Sequence, residues 1–533
     1  MTNKNIALIA FQDQPNLGIG YMVSLLEQDG FNVEIIDFRL EPAKILDRVR
    51  ELDPLLIGFS IIFQYYTPEY AELAAFLRQN GISCLICAGG HYPSLEFKQA
   101  LLAIQDLDCV VRFEGELTLR ELARRLAEGK DWRDLPGLAY PSGGEIITTP
   151  LRPLIANLDD LPFPKRWSFS YSCLGIQATS ILASRGCPRA CTFCSIRRFY
   201  SIPPGPVRRL RSPENVIAEM LMLFREHQVR VFLFQDDDFA LMSKRDREWS
   251  WRFLDLLRET EMTGSILWKI SCRTDEVEPE IFAALHEAGC SLVYLGIESG
   301  NPVGLLTLNK HISVQQNLQA VEILKSLGIS YDFGFMLFDP SSTIELVLEN
   351  VRFLRQVCDD GSATASFGKT LPYAGTDLEQ QMRREGRLRG DIRYPDYSFL
   401  DPRTEDWFNY LCDIFYPWVF GGQSLQAQLR WALFECDVLN KFYAGIPGIK
   451  EFQANVRFLT HWYNHIFCSI VEDSAAAFGP ACQSSNIQRS IHVAADQQQE
   501  WLVNELARQR RDFFTKSTIP LEFVVGKAAE IPA

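Results

Sequence analysis

The chain has 533 residues, enough for about three to four domains at roughly 150 residues each. Lys and Arg number 53 against 67 Asp and Glu, a formal net charge of −14. That balance argues against a general nucleic-acid binder, which needs cations to displace counterions from phosphates, while a hydrophobic share of 47% beside 23% charged residues excludes long disorder.

Over residues 1–150, strand-like and helix-like runs alternate. Ile6–Phe11 reads as a first strand rather than a signal peptide, because its apolar run is only about six residues and no small-residue exit follows. A helix is expected over Gly18–Asp29 and strands over Phe31–Asp37 and Leu55–Phe63. A helix over Pro68–Gln79 and strands over Cys84–Ala88 and near Cys109–Phe113 follow. The alternation predicts a Rossmann-like parallel sheet with its ligand site beyond the carboxyl ends of the strands. The longest apolar runs are strand-sized, short of the roughly 18 residues of a spanning helix. No membrane span is therefore expected, and the chain reads as cytoplasmic. In that compartment 14 cysteines are not a disulfide framework. Most, such as Cys84, Cys87 and Cys290, fall in apolar runs as small core residues.

Residues 151–175, rich in proline at the start, read as a linker. A second series follows, with strands expected over Thr179–Arg185, Arg230–Gln235, Leu267–Ser271, Ser291–Ile297, Tyr331–Leu337 and Ala363–Lys369. Helices are expected over Pro213–Glu226, Arg245–Glu259, Pro279–Ala288, Val314–Ser326 and Thr343–Val357. Residues 176–390 thus form a partial (β/α)6 TIM barrel, whose chemistry collects at the carboxyl ends of its strands. Residues 391–533 read as a mostly helical domain, so the fold class is α/β with a helical tail. Its aromatics Trp407, Tyr410 and Trp418 read as core at helical spacing. The pair His461 and His465 lacks further metal ligands, and Arg383, Arg384, Arg387, Arg389 and Arg393 read as a solvated face.

The sharpest motif is Arg185-Gly-Cys-Pro-Arg-Ala-Cys-Thr-Phe-Cys194. Cys187, Cys191 and Cys194 have C-x3-C-x2-C spacing directly after a strand, which suits three irons of a [4Fe–4S] cluster and leaves the fourth iron open. Zinc is the alternative, but a structural zinc site takes four ligands, typically in two pairs, and Cys173 breaks that pattern.

The triplet and the βα series around it resemble the radical S-adenosylmethionine (SAM) superfamily. The resemblance implies that the open iron binds the amino and carboxylate groups of SAM. An electron from the cluster then cleaves SAM to methionine and a 5′-deoxyadenosyl radical. Phe193 matches the family's aromatic near the adenine. Gln235–Phe239 is similar to its acidic segment and gives Asp237. Ser271–Asp275 resembles the segment whose arginine holds the SAM carboxylate and gives Arg273. Gly296–Gly300 resembles the segment at the ribose and amino end and gives Glu298 and Ser299. Leu371–Leu378 resembles a turn after the sixth strand, departing at Leu371 and Ala374. Each has a structural alternative: a solvated acidic loop or helix cap, an ion-pair partner, a hydrogen-bond acceptor. Their shared place at consecutive strand ends favours one mouth.

The N-terminal domain and the linker segment Asn157–Pro164 resemble the cobalamin-binding branch of that superfamily. Matching loops give Gly18 and Gly20 (in Pro15–Gly20), Ser60, Gly89, Gly90 and His91, and Glu114 and Gly115 as cobalamin contacts. The glycines would let backbone approach a large flat ligand, and the helix start near Gly18–Gly20 would offer N–H groups to a phosphate. The D-x-H-x-x-G motif that supplies an axial histidine is missing, so the cobalt is expected without it, or the domain is a scaffold that has lost its corrinoid. His91 has a structural reading as well. Gly18-x-Gly20 is an incomplete dinucleotide signal.

Together the resemblance implies an enzyme with a [4Fe–4S] cluster, SAM and cobalamin as cofactors. It would move a methyl group to an unactivated carbon of a small molecule or natural-product intermediate, with an electron donor such as flavodoxin or ferredoxin. A cyclase or rearrangement enzyme without net methylation, as in tetrapyrrole ring formation, is the runner-up. An iron–sulfur or corrinoid carrier is the third reading, and Arg273 and Gly296–Gly300 argue against it.

Overall fold

Five short runs of Val, Ile, Leu and Ala become the parallel strands β1 (Asn5–Ala10), β2 (Asn32–Asp37), β3 (Leu56–Ser60), β4 (Leu85–Gly89) and β5 (Cys109–Val111). The structure is a computed structural model that describes residues 3–12, 16–166, 171–478 and 485–524. Pro15 of the expected first loop and Trp167–Ser170 of the expected linker lie outside the described residues. Helices α1 (Leu17–Gln28), α2 (Pro42–Leu52), α3 (Thr67–Gln79), α4 (His91–Leu95), α5 (Phe97–Ala103) and α6 (Glu116–Ala127) connect and follow the strands. Alternate residues of β1 feed two cores. Ala7 and Ile9 pack with Ile45 and Val49 of α2 and Tyr70 of α3. Ile6, Leu8 and Ala10 pack with Val23 of α1 and Leu122 of α6. A parallel strand covered on both faces reads as a continuous apolar run, which is why β1 was legible.

The sheet order is β2-β1-β3-β4-β5-β6-β7. The order reverses between β1 and β3, the crevice where open sheets of this kind bind ligands. The last two strands are an antiparallel hairpin, β6 (Leu138–Ser142) and β7 (Glu145–Thr148), which the strand-and-helix alternation did not foretell. Gly143 and Gly144 take φ of 59° and 83° at its two-residue turn, as the mirror-image hairpin turn requires.

The chain then runs through β8 (Ser172–Cys173), β9 (Ile176–Ile181), β10 (Ser184–Arg185), α7 (Ile196–Ser201), β11 (Arg209–Leu210) and α8 (Pro213–Glu226). It continues with β12 (Val229–Phe234), α9 (Lys244–Arg258), β13 (Leu267–Arg273), α10 (Pro279–Glu287) and β14 (Cys290–Glu298). Next come α11 (Pro302–Thr307), α12 (Val314–Leu327), β15 (Ser330–Phe335) and α13 (Ile344–Cys358). The second sheet has the order β15-β14-β13-β12-β9-β8, five parallel strands with β8 antiparallel at the edge.

Two details of the expected barrel are corrected. The first strand ends at Ile181, and Ser184–Arg185 pairs instead with Arg209–Leu210. The segment expected as a sixth strand, 363–369, makes one bridge, Phe338 to Lys369. Phe338 N–H donates to Gly368 O at 3.0 Å, but the backbone of Ala363 and Ala365 is satisfied by side chains instead of a ladder. Ala365 N–H donates to Asn464 Oδ1 (2.7 Å), Gln426 Nε2 and Tyr463 OH donate to Ala365 O (2.7 and 3.1 Å), and Asn464 Nδ2 donates to Ala363 O (2.9 Å).

The rest is α14 (Asp377–Arg384), the small pair β16 (Leu388–Gly390) and β17 (Pro395–Tyr397), and helices α15 (Pro402–Val419), α16 (Leu425–Phe442), α17 (Ile449–Ala477) and α18 (Ser485–Lys516). Trp407 and Trp418 are fully buried, as core aromatics should be. Among the described residues no helix is long and apolar enough to cross a membrane. The chain divides into two units: 1–168, 184–215 and 371–397 form one, and 169–183, 216–370 and 398–533 the other.

Candidate functional site

In the second unit, β12, β13 and β14 run parallel and end in turn at Gln235–Phe239, Arg273 and Glu298. Arg273 is buried. It forks onto Asp275 (2.9 and 3.2 Å), and its Nη2 donates to Lys310 O at 2.8 Å. The Lys310 ammonium in turn stands 3.1 Å from Glu298 Oε1, with both side chains 10% exposed or less. Lys310 therefore links the two residues that the sequence placed at one mouth. It was missed because it lies in a loop with no periodic pattern, between Asn309 and His311, both at positive φ.

Glu298 itself has φ of 65°. A left-handed glutamate costs energy that the surroundings must hold, and such outliers gather at functional sites. Arg273, paired with Asp275, and Lys310, paired with Glu298, set charges of both signs at one strand-end mouth, a set into which a zwitterionic amino-acid end can exchange: a carboxylate toward Arg273 and Lys310, an ammonium toward Glu298. Below them on β13, the buried Lys269 ammonium lies 5.3 Å from the Tyr294 ring, and burial lowers its pKa to about 8.

The other expected SAM residues divide. Asp237 is exposed, whereas its neighbours Asp236 and Asp238 are buried and Asp236 Oδ2 accepts from Ala183 N–H at 3.1 Å. Ser299 is fully buried, donating to Asn350 Oδ1 at 3.2 Å and accepting from Asn301 N–H at 3.3 Å. Asn350 also accepts from Gly300 N–H at 2.8 Å, so this set fixes the turn after Glu298.

In the first unit, Cys187, Cys191, Phe193 and Cys194 are half-buried on the loop between β10 and α7, whereas most described cysteines elsewhere are buried. Cys194 N–H donates to Cys191 O at 3.2 Å and turns the loop. Among the described residues no three His, Cys, Asp or Glu form a preformed site for a single ion. A cluster makes a different demand: each of three irons takes one thiolate, so the thiols need one loop rather than one point. Three accessible soft donors within eight residues meet that demand.

The corrinoid-type loops lie in the same unit. Gly18 and Gly20 fall in the first turn of α1, where Asn16 Oδ1 already accepts the Ile19 N–H and Asn16 O the Gly20 N–H. Ser60 and Gly89 end β3 and β4, and Gly115 precedes α6. Gly90 has φ of 115°, and a Cβ there would lie 2.3 Å from Ile61 O. His91 stacks on Phe199 at 4.2 Å and 12°, its Nδ1 3.5 Å from Ser195 Oγ, and burial lowers its pKa to about 4. Glu114 is engaged with Arg185 and Arg209. Burial works to raise its pKa, but those two guanidinium groups hold it below the ordinary value. Beyond β3, Ile62 and Phe63 are exposed and Phe63 stacks on Tyr65, an apolar shelf beside the crevice that suits a large flat ligand.

Two family models match the chain: the radical SAM superfamily over residues 181–354 and the B12 binding domain over residues 6–123. An uncharacterized methyltransferase of Pyrococcus horikoshii is 30% identical over 399 residues, 73% of this chain and 82% of that protein. The anaerobic magnesium-protoporphyrin IX monomethyl ester cyclase of Cereibacter sphaeroides is 25% identical over 406 residues, 73% of this chain and 63% of that protein. The solved structure of the cobalamin-dependent SAM radical enzyme OxsB, with aqua-cobalamin and SAM bound, matches with a TM-score of 0.69 at 17% identity, covering 96% of this chain and 79% of that one. With the thiol loop, the strand-end charges and the crevice of the first sheet in place, these likenesses show that the chain belongs to the B12-binding-domain branch of the radical SAM enzymes, whose cofactors are a [4Fe–4S] cluster, SAM and cobalamin.

Proposed function

We propose that the chain moves a methyl group to an unactivated carbon of a small molecule or natural-product intermediate. The observation that carries the reading is Glu298, held in left-handed backbone at a strand end with its carboxylate on the buried Lys310. It is a strained, charged group of the kind that receives the amino-acid end of SAM. The methyltransferase relative supports methyl transfer.

In this reading Cys187, Cys191 and Cys194 hold the cluster and Phe193 lies along the adenine. Arg273 and Lys310 orient the SAM carboxylate and Glu298 its ammonium. Asp237 and Ser299 belong to the same mouth, Ser299 through the turn it fixes. Residues 1–150 form the corrinoid domain, where Gly18, Ser60 and Gly89 leave the strand ends open to the corrin, while the missing Cβ of Gly20, Gly90 and Gly115 makes room for Lys165, Ile61 and Met22 of the chain itself. Residues 151–175 are the linker, 176–390 the radical SAM barrel and 391–533 the helical domain. When bound, the cluster supplies an electron to SAM and the cobalamin a carrier for the methyl group. The protein's part is to hold both SAM ends and exclude water from a reactive radical. The enzyme works in the cytoplasm with a flavodoxin- or ferredoxin-like donor.

The cyclase relative favours a second reading, ring formation without net methylation. One experiment separates them. The protein is reconstituted anaerobically with iron, sulfide and hydroxocobalamin, then given SAM and a strong reductant. Methyl transfer predicts 5′-deoxyadenosine together with S-adenosylhomocysteine, the latter only when cobalamin is present. Deoxyadenosine with no S-adenosylhomocysteine, in the presence of each candidate substrate tried, favours the cyclase.

A further inference from the structure

We propose that Glu114, Glu116, Arg185 and Arg209 form a positioning joint that hangs the cysteine loop from the corrinoid-type domain, so that Glu114 sets the loop rather than touching cobalamin. The proposal rests on the reading of Cys187, Cys191 and Cys194 as cluster ligands. All four residues belong to the first unit.

The excursion that carries the cysteines leaves through Arg185 and returns through Arg209, and these two residues face each other in the β10–β11 pair. Its base is closed tightly. Gly186 has φ of 82°, and a Cβ there would lie 1.9 Å from Val207 O. Both basal arginines then turn into the loop after β5. Arg185 Nη1 stands 3.1 Å from Glu114 Oε1 and 2.7 Å from Glu116 Oε1, and Arg209 Nη1 stands 2.8 Å from Glu114 Oε2. The four side chains are 9% exposed or less. Two guanidinium groups balance two carboxylates. Glu114 Oε2 also accepts from Ile155 N–H at 2.9 Å, and Arg209 donates to Ile155 O at 3.0 Å. Tyr21 and Tyr200 lie against the guanidinium groups, at 4.9 Å from Arg185 and 5.2 Å from Arg209.

The far end of the excursion is gripped too. Phe199, on the helix that follows Cys194, is stacked by His91 after β4 and meets Phe113 after β5 at 5.4 Å. A buried charge cluster contributes little net stability against an apolar replacement, but it defines one geometry. What it defines here is the root of the thiol loop. The side chains of His91, Phe113, Glu114 and Glu116 thus serve the excursion that carries the cysteines.

Glu114→Gln and Arg185→Lys test the joint in the reconstituted enzyme. Five quantities are measured: iron per chain, cobalamin per chain, amide hydrogen exchange over residues 186–208, the SAM-induced change in the electron paramagnetic resonance signal of the reduced cluster, and the KM for SAM. The joint predicts cobalamin content as in the unaltered protein, exchange over 186–208 faster by about tenfold, and a weakened SAM-induced change with a raised KM for SAM. Exchange and resonance within about twofold of the unaltered protein overturn it, as does a Glu114→Gln variant that loses cobalamin while its loop exchanges normally. If the unaltered protein takes up no iron, the cluster reading fails, and the exchange result still judges the joint. Should both variants fail to fold, Glu116→Gln removes a single contact, and a third misfolded variant assigns the four residues to stability and overturns the positioning role.

Discussion

Glu298 and Lys310 show what a single buried pair demands. Removing one charge strands the other, a cost of about 3 kcal/mol or more. Glu298→Gln is therefore expected to lower the unfolding free energy read from urea titration by about 3 kcal/mol or more and to weaken SAM binding. Adding Lys310→Met should restore much of the stability and none of the binding. Asp437 makes a prediction about pH. Burial raises its pKa to about 7, against a hydrogen bond from Ser330 and the charge of Arg457. The folded chain therefore holds this proton up to about pH 7, whereas the unfolded chain releases it near the ordinary carboxyl value of 3.8. Stability from this group falls as pH rises through that window. Asp437→Asn should match the unaltered Tm below the window and exceed it by a few degrees above pH 7. A constant difference across the range would contradict the shift.

At the scale of elements, regular pattern was legible and borrowed satisfaction was not. The helix over Pro213–Glu226 has the bounds its apolar spacing gave, because that helix makes its own hydrogen bonds. Residues 363–369 carry a strand-like pattern, but Ala363 and Ala365 find their partners in side chains from far along the chain, such as Asn464. No local signal distinguishes that case from a ladder. Asn464 is buried and serves Ala365 N–H, Ala363 O and Cys358 O. Asn464→Leu should cost about 2–4 kcal/mol, since it leaves buried backbone groups unpaired. Denaturant unfolding gives the value, and a loss of a few tenths would show that water replaces the side chain. The candidate site was legible in the same uneven way. Cys187, Cys191 and Cys194 stand out by spacing, and Arg273 and Glu298 by strand ends. Lys310, and the contact between Glu114 and Arg185, join residues distant in sequence and left no pattern to read.

At the scale of the whole molecule, one chain carries a B12-binding domain and a radical SAM domain. The first unit holds the thiol loop and the corrinoid-type crevice, and the second holds the strand-end charges. With Cys187, Cys191 and Cys194 as cluster ligands, every later step depends on the thiol loop, so the most direct test is there. Anaerobically reconstituted protein is reduced, given SAM, and assayed for 5′-deoxyadenosine beside a Cys191→Ala variant whose circular dichroism and cobalamin content match the unaltered protein. Deoxyadenosine is expected from the unaltered protein and none from the variant. A Cys191→Ala protein that forms deoxyadenosine at the unaltered rate would contradict the ligand role of Cys191.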